Sequence, residues 1–557
     1  MDIKKAISEI NIDIDSIADP ATKAIVVHLL NIIEESLKNN KNLSKENQKL
    51  RDENNKLKGE QGKPNIRKQS KDNQKATDFS SENERKRSKK KKKKKGKKNR
   101  KIKINRREVC KLDKDKLPAD AIFKGHLTKI VQDINITTDN IEFRKEIYYS
   151  PSQKKTFIAL LPDGYDGEFG PNIKSLIISL YHDSYMTELK IVDFLKSHNI
   201  IIAPSTVSRF LTENKDNFHQ EKKDIVEAGL LSSEYQQMDD TGARVNGKNH
   251  VTHILCNPLF TAYFTRKHKD RLTLIELLSQ GDLMFSFNEA SYELMEKMEL
   301  PKKVLSKLET CGVKESISRQ EIDAVLKDLF PDDNKHKTNR LIILEASAIT
   351  FYQQLANAIS LLLVDDAPQF KQITKLLALC WIHDGRHYKK LAPVINLHKE
   401  KLDEFLSKYW DYYHRLLNYK KDPNVFIAKK LSDEFDELFS TKTDYEQLDE
   451  RIEKTRLKKD SLLLVLTYPN LPLHNNASEL GARAQARRRD ISFQTKNENG
   501  TNAKDTFMTI IETSKKLGIN AFEYIRDRIS KKFEKPSLAS LITSRAEKPC
   551  FVAYDTS

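Results

Sequence analysis

The sequence lacks the features that mark several protein classes. Its five cysteines are scattered and include no Cys-x-x-Cys pair; they are Cys110, Cys256, Cys311, Cys380 and Cys550. This spacing excludes a disulfide framework and a structural zinc site, and it is typical of a reducing compartment. No apolar run approaches the roughly 20 residues that span a bilayer, and the acid-rich N-terminus is unlike a signal peptide. We therefore expect a soluble, cytoplasmic protein with no membrane partner.

Apolar residues are also scarce in part of the chain. Hydrophobic residues make up 38% of the 557 residues, and the deficit lies mainly in the first hundred or so. A single hydrophobic core stops growing at roughly 250–300 residues, so we expect several domains. The C-terminal four fifths of the chain is rich enough in apolar residues to form their cores.

Acidic residues are missing from one strongly basic segment. Residues 85–107 contain 17 Lys and Arg and no Asp or Glu, which leaves 18 − 17 = +1 of the net charge for the rest of the chain. Like charges repel and bury little apolar surface, so this arm should be disordered and free to lie along a polyanion. Phosphate contacts from Lys89, Lys90, Lys91, Lys92 and Lys93 would make DNA binding salt-dependent and indifferent to sequence. A solvated linker and an anionic membrane are the alternatives.

The first 60 residues predict a helical dimerisation segment. Ile25, Leu29, Ile32 and Ile33 share one face of a helix over 21–59, and leucines then recur every seven residues, at Leu43, Leu50 and Leu57. Asn40, Asn47 and Asn54 occupy the alternate heptad positions, where a buried Asn fixes a two-stranded register. We predict a coiled coil, and hence a homodimer or higher oligomer. A single solvated helix is the alternative.

Between this helix and the main domains, three regions follow. Residues 61–107 are the linker and basic arm, and alternating apolar residues at 108–175 predict a small β-rich module. Residues 176–230 are helical, with segments at 172–198 and 205–214 joined by an apolar stretch ending in Pro204. This pattern predicts a helix-turn-helix whose second helix reads DNA through Ser205, Ser208 and Arg209. An ordinary helical hairpin has the same pattern.

Three acidic islands stand at the ends of apolar runs. Asp239 and Asp240 follow an apolar strand, Asp365 and Asp366 follow the run Leu-Leu-Leu-Val, and Glu479 lies in Asn-Asn-Ala-Ser-Glu at a helix start. Open sheets place ligand sites at the carboxyl ends of their strands. Adjacent residues of a strand point to opposite faces, so one acid of each pair should face the site. Asn475 or Asn476 would cap the helix that carries Glu479.

These islands fall within four blocks that resemble a known family. The blocks begin at Asp239 (Asp-Asp-Thr-Gly-Ala-Arg-Val), Cys380 (Cys-Trp-Ile-His-Asp-Gly-Arg-His-Tyr), Asn475 (Asn-Asn-Ala-Ser-Glu) and Thr513 (Thr-Ser-Lys-Lys-Leu-Gly-Ile-Asn-Ala-Phe). In this order they resemble the insertion sequence 66 family of bacterial transposases, over about residues 180–530.

The resemblance implies an α/β fold with a ribonuclease H-like catalytic domain over 231–394 and 471–535. Helical insertions would occupy 271–350 and 395–470, and a tail would follow at 536–557. The implied catalytic and metal-binding triad is Asp239, Asp365 and Glu479. Asp240 and Asp366 are alternates, and Asn288 and Asp384 are less favoured positions for the middle acid.

The implied chemistry is metal-dependent cleavage and strand transfer at the ends of an insertion sequence. Two Mg²⁺ or Mn²⁺ ions would be held by the triad, and the partners would be transposon-end and target DNA, with small accessory proteins as possible helpers. A bacterial, nucleoid-associated protein is expected. Further candidate DNA contacts surround the acids in the sequence; they are His383, Arg386, His387, Arg483, Arg487 and Arg488.

Two departures from the family pattern leave other functions open. His474 replaces the Asp that commonly precedes the two asparagines, and the paired-cysteine zinc module of many relatives is missing. A transposase-derived DNA-binding protein without activity is one alternative. A nuclease without strand transfer is another.

Overall fold

The computed structural model of the protein describes residues 14–57, 102–112, 121–310, 316–332 and 335–546. Most of the predicted basic arm lies outside the described residues, including Lys89, Lys90, Lys91, Lys92 and Lys93. Within the described part of the chain, no helix is long and apolar enough to cross a membrane.

A mixed five-stranded sheet is the centre of the fold. The strands are β1 (Ile147–Ser150), β2 (Lys155–Ile158), β3 (Tyr235–Val245), β4 (Lys248–Cys256), β5 (Thr261–Arg266), β6 (Phe285–Ser286), β7 (Ser316–Ile317), β8 (Leu361–Val364) and β9 (Leu376–Leu379). The large sheet has the order β5-β4-β3-β8-β9. Strands β3 to β5 are antiparallel neighbours, whereas β8 runs parallel to β3 and β9 parallel to β8. The α/β class predicted from the sequence is confirmed.

Helices precede the sheet, interrupt it and follow it. Those before β3 are α1 (Pro20–Leu57), α2 (Pro171–His182), α3 (Glu188–Ser197), α4 (Pro204–Thr212) and α5 (Asp216–Leu231). Between β5 and β8 lie α6 (Arg271–Ser279), α7 (Glu289–Lys297), α8 (Lys302–Thr310), α9 (Arg319–Leu329) and α10 (Lys337–Gln354). This segment contains the predicted insertion 271–350, and it is largely helical.

The chain after β9 is helical throughout its described elements. The first group is α11 (Trp381–Lys389), α12 (Asn396–Tyr419), α13 (Val425–Leu438), α14 (Glu446–Arg456), α15 (Lys459–Leu462) and α16 (Leu464–Thr467). The second group is α17 (Asn476–Ser492), α18 (Glu498–Lys516), α19 (Ala521–Ile529) and α20 (Leu538–Ser544). Three of its aromatic residues, Tyr409, Tyr412 and Phe435, are buried and form part of the core.

The two faces of the large sheet pack against different helices. Met238, Leu362 and Val364 point into the main hydrophobic core, which also contains residues of α5 and α10. Because side chains alternate along a strand, Tyr235 and Leu363 point to the opposite face, where a smaller apolar cluster includes Leu471. Helix α17 packs on this second face, against β3 and β4.

Two N-terminal regions differ in detail from the predicted pattern. The described parts of 108–175 contain one hairpin, β1–β2. The predicted helix 172–198 is two helices, because the chain breaks at Asp183 to Thr187, where Tyr185 has φ 57° and Thr187 caps α3. Helices α3 and α4 pack together at the place of the predicted helix-turn-helix.

The N-terminal helix α1 has one face against the body and one face exposed. The Glu34 carboxylate accepts hydrogen bonds from Val394 N at 2.7 Å and Ile395 N at 3.0 Å, just before α12. Leu30 is buried in the same contact. The residues of the predicted coiled-coil seam that are exposed are Ile25, Leu29, Ile32, Leu43 and Leu50. Dimerisation through this stripe stays a prediction.

Candidate active site

The first two acidic islands are neighbours in the sheet. The parallel register pairs Tyr235 with Leu361 and Gln237 with Leu363. Continuing it by two positions places Asp239 beside Asp365, which directly follows β8. Both residues fall on the face that packs against α17, because side chains two apart on a strand share a face.

The third acid reaches the same face on α17. Glu479 lies in the first turn of this helix, where a carboxylate is stabilised by the helix dipole. Two residues later, a Cβ on Gly481 would lie 2.8 Å from Ile254 Cγ2, so only glycine lets the helix approach β4 this closely. The Tyr263 hydroxyl donates to Gly481 O at 3.2 Å. These contacts fix the height of Glu479 over the sheet.

The other acid of each pair is bound by basic or amide groups. Asp240 lies 2.7 Å from Lys269 Nζ and accepts a hydrogen bond of 2.9 Å from Gln369 Nε2. Asp366 lies 2.5 Å from Lys458 Nζ and 3.5 Å from Lys371 Nζ. Burial acts to raise the pKa of Asp366, but these two lysines hold it below its ordinary value. The alternates Asp240 and Asp366 are therefore neutralised within the chain.

Asp239 and Asp365 have only backbone donors among the contacts of the described residues. Asp239 Oδ1 accepts from Asp240 N at 2.8 Å, and Asp365 Oδ1 accepts from Ala367 N at 3.2 Å. Burial, together with the negative charges of Asp365, Asp240 and Glu479, raises the pKa of Asp239 to about 7, against the lowering effect of the hydrogen bond from Asp240 N. Asp239 therefore lies near the negative charges of the other two candidate triad acids, Asp365 and Glu479.

Glu479 is held by basic residues on one side. Its Oε1 lies 3.3 Å from Arg386 Nη1 and 3.6 Å from His383 Nε2, and its Oε2 lies 3.5 Å from Arg483 Nη2. Burial lowers the pKa of His383, and Arg386 lowers it further. Asn475, which is fully buried and directly precedes α17, acts to raise the pKa of His383. Three predicted DNA contacts, His383, Arg386 and Arg483, are thus brought to the acids.

The oxygen donors of this site suit a divalent cation, although the three acids are not arranged around a common point. Asp239, Asp365 and Glu479 offer carboxylate oxygens, the ligands that Mg²⁺ prefers, and a cation would relieve the repulsion at the half-buried Asp239. Among the described residues, no group of three or more His, Cys, Asp or Glu side chains is arranged to hold a metal ion. Glu479 would have to turn from Arg386 toward the aspartates to complete such a set.

The remaining predicted contacts lie elsewhere. Ser205, Ser208 and Arg209 are on α4, which packs on α2, α3 and α18 rather than on the acid face. His387 is half-buried, and its pKa is lowered by burial and by Arg451.

The arginines of α17 divide into two kinds. Arg487 is exposed, but Arg488 is 2% exposed and its guanidinium lies 3.4 Å from the Tyr181 ring centroid. Arg488 is therefore not part of an exposed stripe.

Two positions considered for the middle acid have structural roles. Asn288 is the N-cap of α7 and forms a capping box with Ser291. Asp384 is buried, bonded to Arg451, and accepts from Thr455 Oγ1 at 2.9 Å. Both side chains are used inside the fold, and neither competes with Asp365.

Sequence reasoning missed the residues that distinguish the acids. Lys269, Gln369 and Lys458 come from segments remote from the acids they bind, and no local pattern indicates such pairs. The close approach at Gly481 could have been predicted from the sequence, because a glycine inside a helix is disfavoured unless close packing requires it. A cavity of about 1140 Å³ lies between α2, α4, α5 and the C-terminal helices, away from the acids, and does not help to distinguish them.

Comparison with known sequences supports the resemblance read from the four blocks. The sequence model described as Transposase IS66 family matches residues 348–503, which include Asp365 and Glu479. The resemblance predicted from the sequence is thereby confirmed over this region, and the family suggests a transposase.

A relative extends the similarity beyond that region. The uncharacterized protein y4jO of Sinorhizobium fredii is 29% identical over 327 residues, which are 58% of this chain and 100% of the relative. No solved structure matches the chain.

Proposed function

We propose that this chain is a DNA transposase of the Asp-Asp-Glu type, with a ribonuclease H-like catalytic domain. The observation that carries the proposal is the placement of Asp239, Asp365 and Glu479 on one face of the mixed sheet, within reach of one another's charges. The IS66 family match over the segment that holds two of these acids supports it. The strand order β5-β4-β3-β8-β9, antiparallel on one side and parallel on the other, suits a ribonuclease H-like sheet.

Asp239, Asp365 and Glu479 would hold two Mg²⁺ or Mn²⁺ ions. When bound, such ions activate an attacking oxygen and stabilise the leaving oxygen at phosphorus. The same site would therefore serve hydrolysis at the element's ends and strand transfer to a target. Arg386 and Arg483 border Glu479 and would bind the phosphates that flank the scissile bond.

The decisive experiment measures cleavage and joining of the element's own terminal DNA in the presence of Mg²⁺. Asp239→Asn and Glu479→Gln should abolish cleavage, because each removes a charged ligand, while the mobility shift of end DNA persists. Asp240→Asn is the matched control, since Asp240 is bound by Lys269 and Gln369. It should retain most of the cleavage.

The alternatives give different results in the same assay. Wild-type protein that binds ends but never cleaves them would indicate a DNA-binding protein without activity. Cleavage without joined products would indicate a nuclease. Equal cleavage by the Asp239→Asn and Asp240→Asn variants would reject the triad.

A further inference from the structure

The C-terminal end of α17 carries a strained turn at Phe493. This residue has φ 53° and ψ −55°, and Gln494 N donates to Ser492 O at 2.5 Å across it. The conformation is the rarer, strained form of the γ-turn, and positive φ is unfavourable for a bulky side chain. Glycine would occupy this position without strain.

Contacts on both sides hold the turn against the β3–β4 hairpin. Gly247 N donates to Gln494 Oε1 at 2.6 Å, and Thr495 N donates to Arg244 O at 3.2 Å. Arg489 Nη1 donates to Gly242 O at 2.8 Å from the preceding turn of the helix. The strained backbone is therefore fixed by the body of the domain.

This turn displays an aromatic ring that the fold does not use. Phe493 is 75% exposed and belongs to none of the hydrophobic clusters of the described residues. No ring or cation of the described chain stacks on it. The backbone at Phe493 is strained although its side chain makes no contact inside the fold, and such strain indicates that the side chain has a role in binding.

The surroundings of Phe493 are basic. A cleft of about 20 Å³ beside the ring is also lined by Arg244, Arg488, Arg489 and Lys504, with no Asp or Glu among its described lining residues. Arg488 is 2% exposed, and its Nη2 has no hydrogen-bond partner in the described structure. The cleft has room for one water-sized group, such as a phosphate oxygen. The charge favours a nucleic acid over an apolar protein partner.

Exposed arginines connect this end of α17 to the acids. Glu479, Arg483 and Arg487 follow one another at intervals of four, so they lie along one face of the helix. The 493 − 479 = 14 positions from Glu479 to Phe493 span about 21 Å at roughly 1.5 Å per residue. That length corresponds to about six steps of roughly 3.4 Å along one strand of B-DNA.

We propose that Phe493 stacks on an unpaired base of the bound DNA, with a neighbouring phosphate oxygen in the Arg488 cleft. Aromatic rings beside basic grooves bind single strands in this way, because every base has a stacking face. The proposed distance of about six nucleotides from the cut rests on the proposed function. The stacking itself does not.

The test measures binding of the full chain to a mixed-sequence DNA strand of about 20 nucleotides carrying 2-aminopurine, a base whose fluorescence is quenched by stacking. Phe493→Leu keeps apolar volume but removes the ring, so it should weaken binding about tenfold and restore the fluorescence. Phe493→Tyr retains the ring and should behave as wild type. A fully paired duplex of the same sequence should show no difference among the three proteins.

Equal affinity and equal quenching for the Leu and Tyr variants would overturn the proposal. Thermal unfolding of each variant checks the fold, and Phe493→Trp provides a second aromatic variant should the Tyr variant prove unstable. Failure of the catalytic proposal is distinguishable, because a protein that never cleaves would still show ring-dependent quenching. Conversely, cleavage that depends on Asp239 would stand even if Phe493 contributed nothing.

Discussion

The two ends of α17 differ in charge but share one property, the incomplete neutralisation of charged groups that are half-buried or buried. At the Glu479 end, burial and three neighbouring carboxylates raise the pKa of Asp239 to about 7. At the other end, Arg488 Nη2 is buried without a partner among the described residues. A fold selected for stability alone would pair or replace such groups. This is the arrangement expected if, as proposed above, a cation binds at one end and an anion at the other.

The same contrast exists inside each acidic pair. Asp240 and Asp366 have ammonium partners from distant segments, namely Lys269 and Lys458. Asp239 and Asp365 have backbone donors in their described contacts. Asp240 and Asp366 are thus neutralised by side chains of the protein, whereas Asp239 and Asp365 are the acids proposed to bind a ligand.

The largest expected effect comes from exchanging Asp365 and Asp366 for asparagine in separate variants. Residues that support metal ligands typically contribute about 10- to 100-fold to activity. We expect Asp366→Asn to lose no more than this, because Asp366 binds Lys458 and Lys371. Asp365→Asn should lose more than about 100-fold, since a ligand itself is removed. Initial rates of Mg²⁺-dependent end cleavage provide the measurement.

The reverse order of these two rates would show that Asp366 leaves its lysines and is the ligand. Lys458→Met helps to interpret such a result. It should resemble Asp366→Asn if the lysine only holds the loop that carries Asp365.

A second, smaller effect is expected where α17 crosses the sheet. Gly481→Ala would place a Cβ 2.8 Å from Ile254 Cγ2. Overpacking of this kind costs about 1–3 kcal/mol, partly offset by the roughly 1 kcal/mol by which alanine favours a helix. Because the helix carries Glu479, we expect a lower melting temperature together with a fall in cleavage of about tenfold or more.

Ile254→Leu removes the Cγ2 branch at nearly constant volume and is the matched second change. The double variant should recover much of the stability and the cleavage lost by Gly481→Ala. Strict additivity of the two substitutions would argue against this contact as the cause.

The sequence predicted the acids better than it predicted their partners. Asp365 and Glu479 follow local patterns, a strand end and a helix start, that depend on neighbours in the chain. Asp239 was predicted at a strand end as well, but it lies in the middle of β3, which continues to Val245. Which acid of a pair is free depends on lysines more than 25 positions away, as Lys269 is from Asp240, and no periodicity encodes such contacts. The burial of Arg488 could not be predicted either, because it depends on Tyr181 from another helix. The contact of Glu34 with the start of α12 could not be predicted for the same reason, since it joins segments that are remote in the sequence.

The smallest effect concerns the basic end and appears only with pH. His182 is 4% exposed, and neither ring nitrogen has a hydrogen-bond partner in the described structure. Burial lowers its pKa well below 6.5, and Arg488 and Lys504 lower it further. Below about pH 6.5 the unfolded chain therefore binds a proton that the folded chain does not. As the pH falls below about 6.5, this residue should lower the free energy of unfolding by up to about 1.4 kcal/mol for each pH unit.

His182→Leu removes the titrating group while keeping an apolar contact with Phe507, so its stability should decline less steeply between pH 6.5 and 5 than that of the wild type. Denaturant unfolding at several pH values measures the two slopes. Parallel slopes for His182→Leu and the wild type would mean that His182 becomes protonated in the folded state. Arg488 and Lys504 would then be neutralised well enough for a neighbouring histidine to take up a proton, and the contrast between the two ends of α17 would be lost.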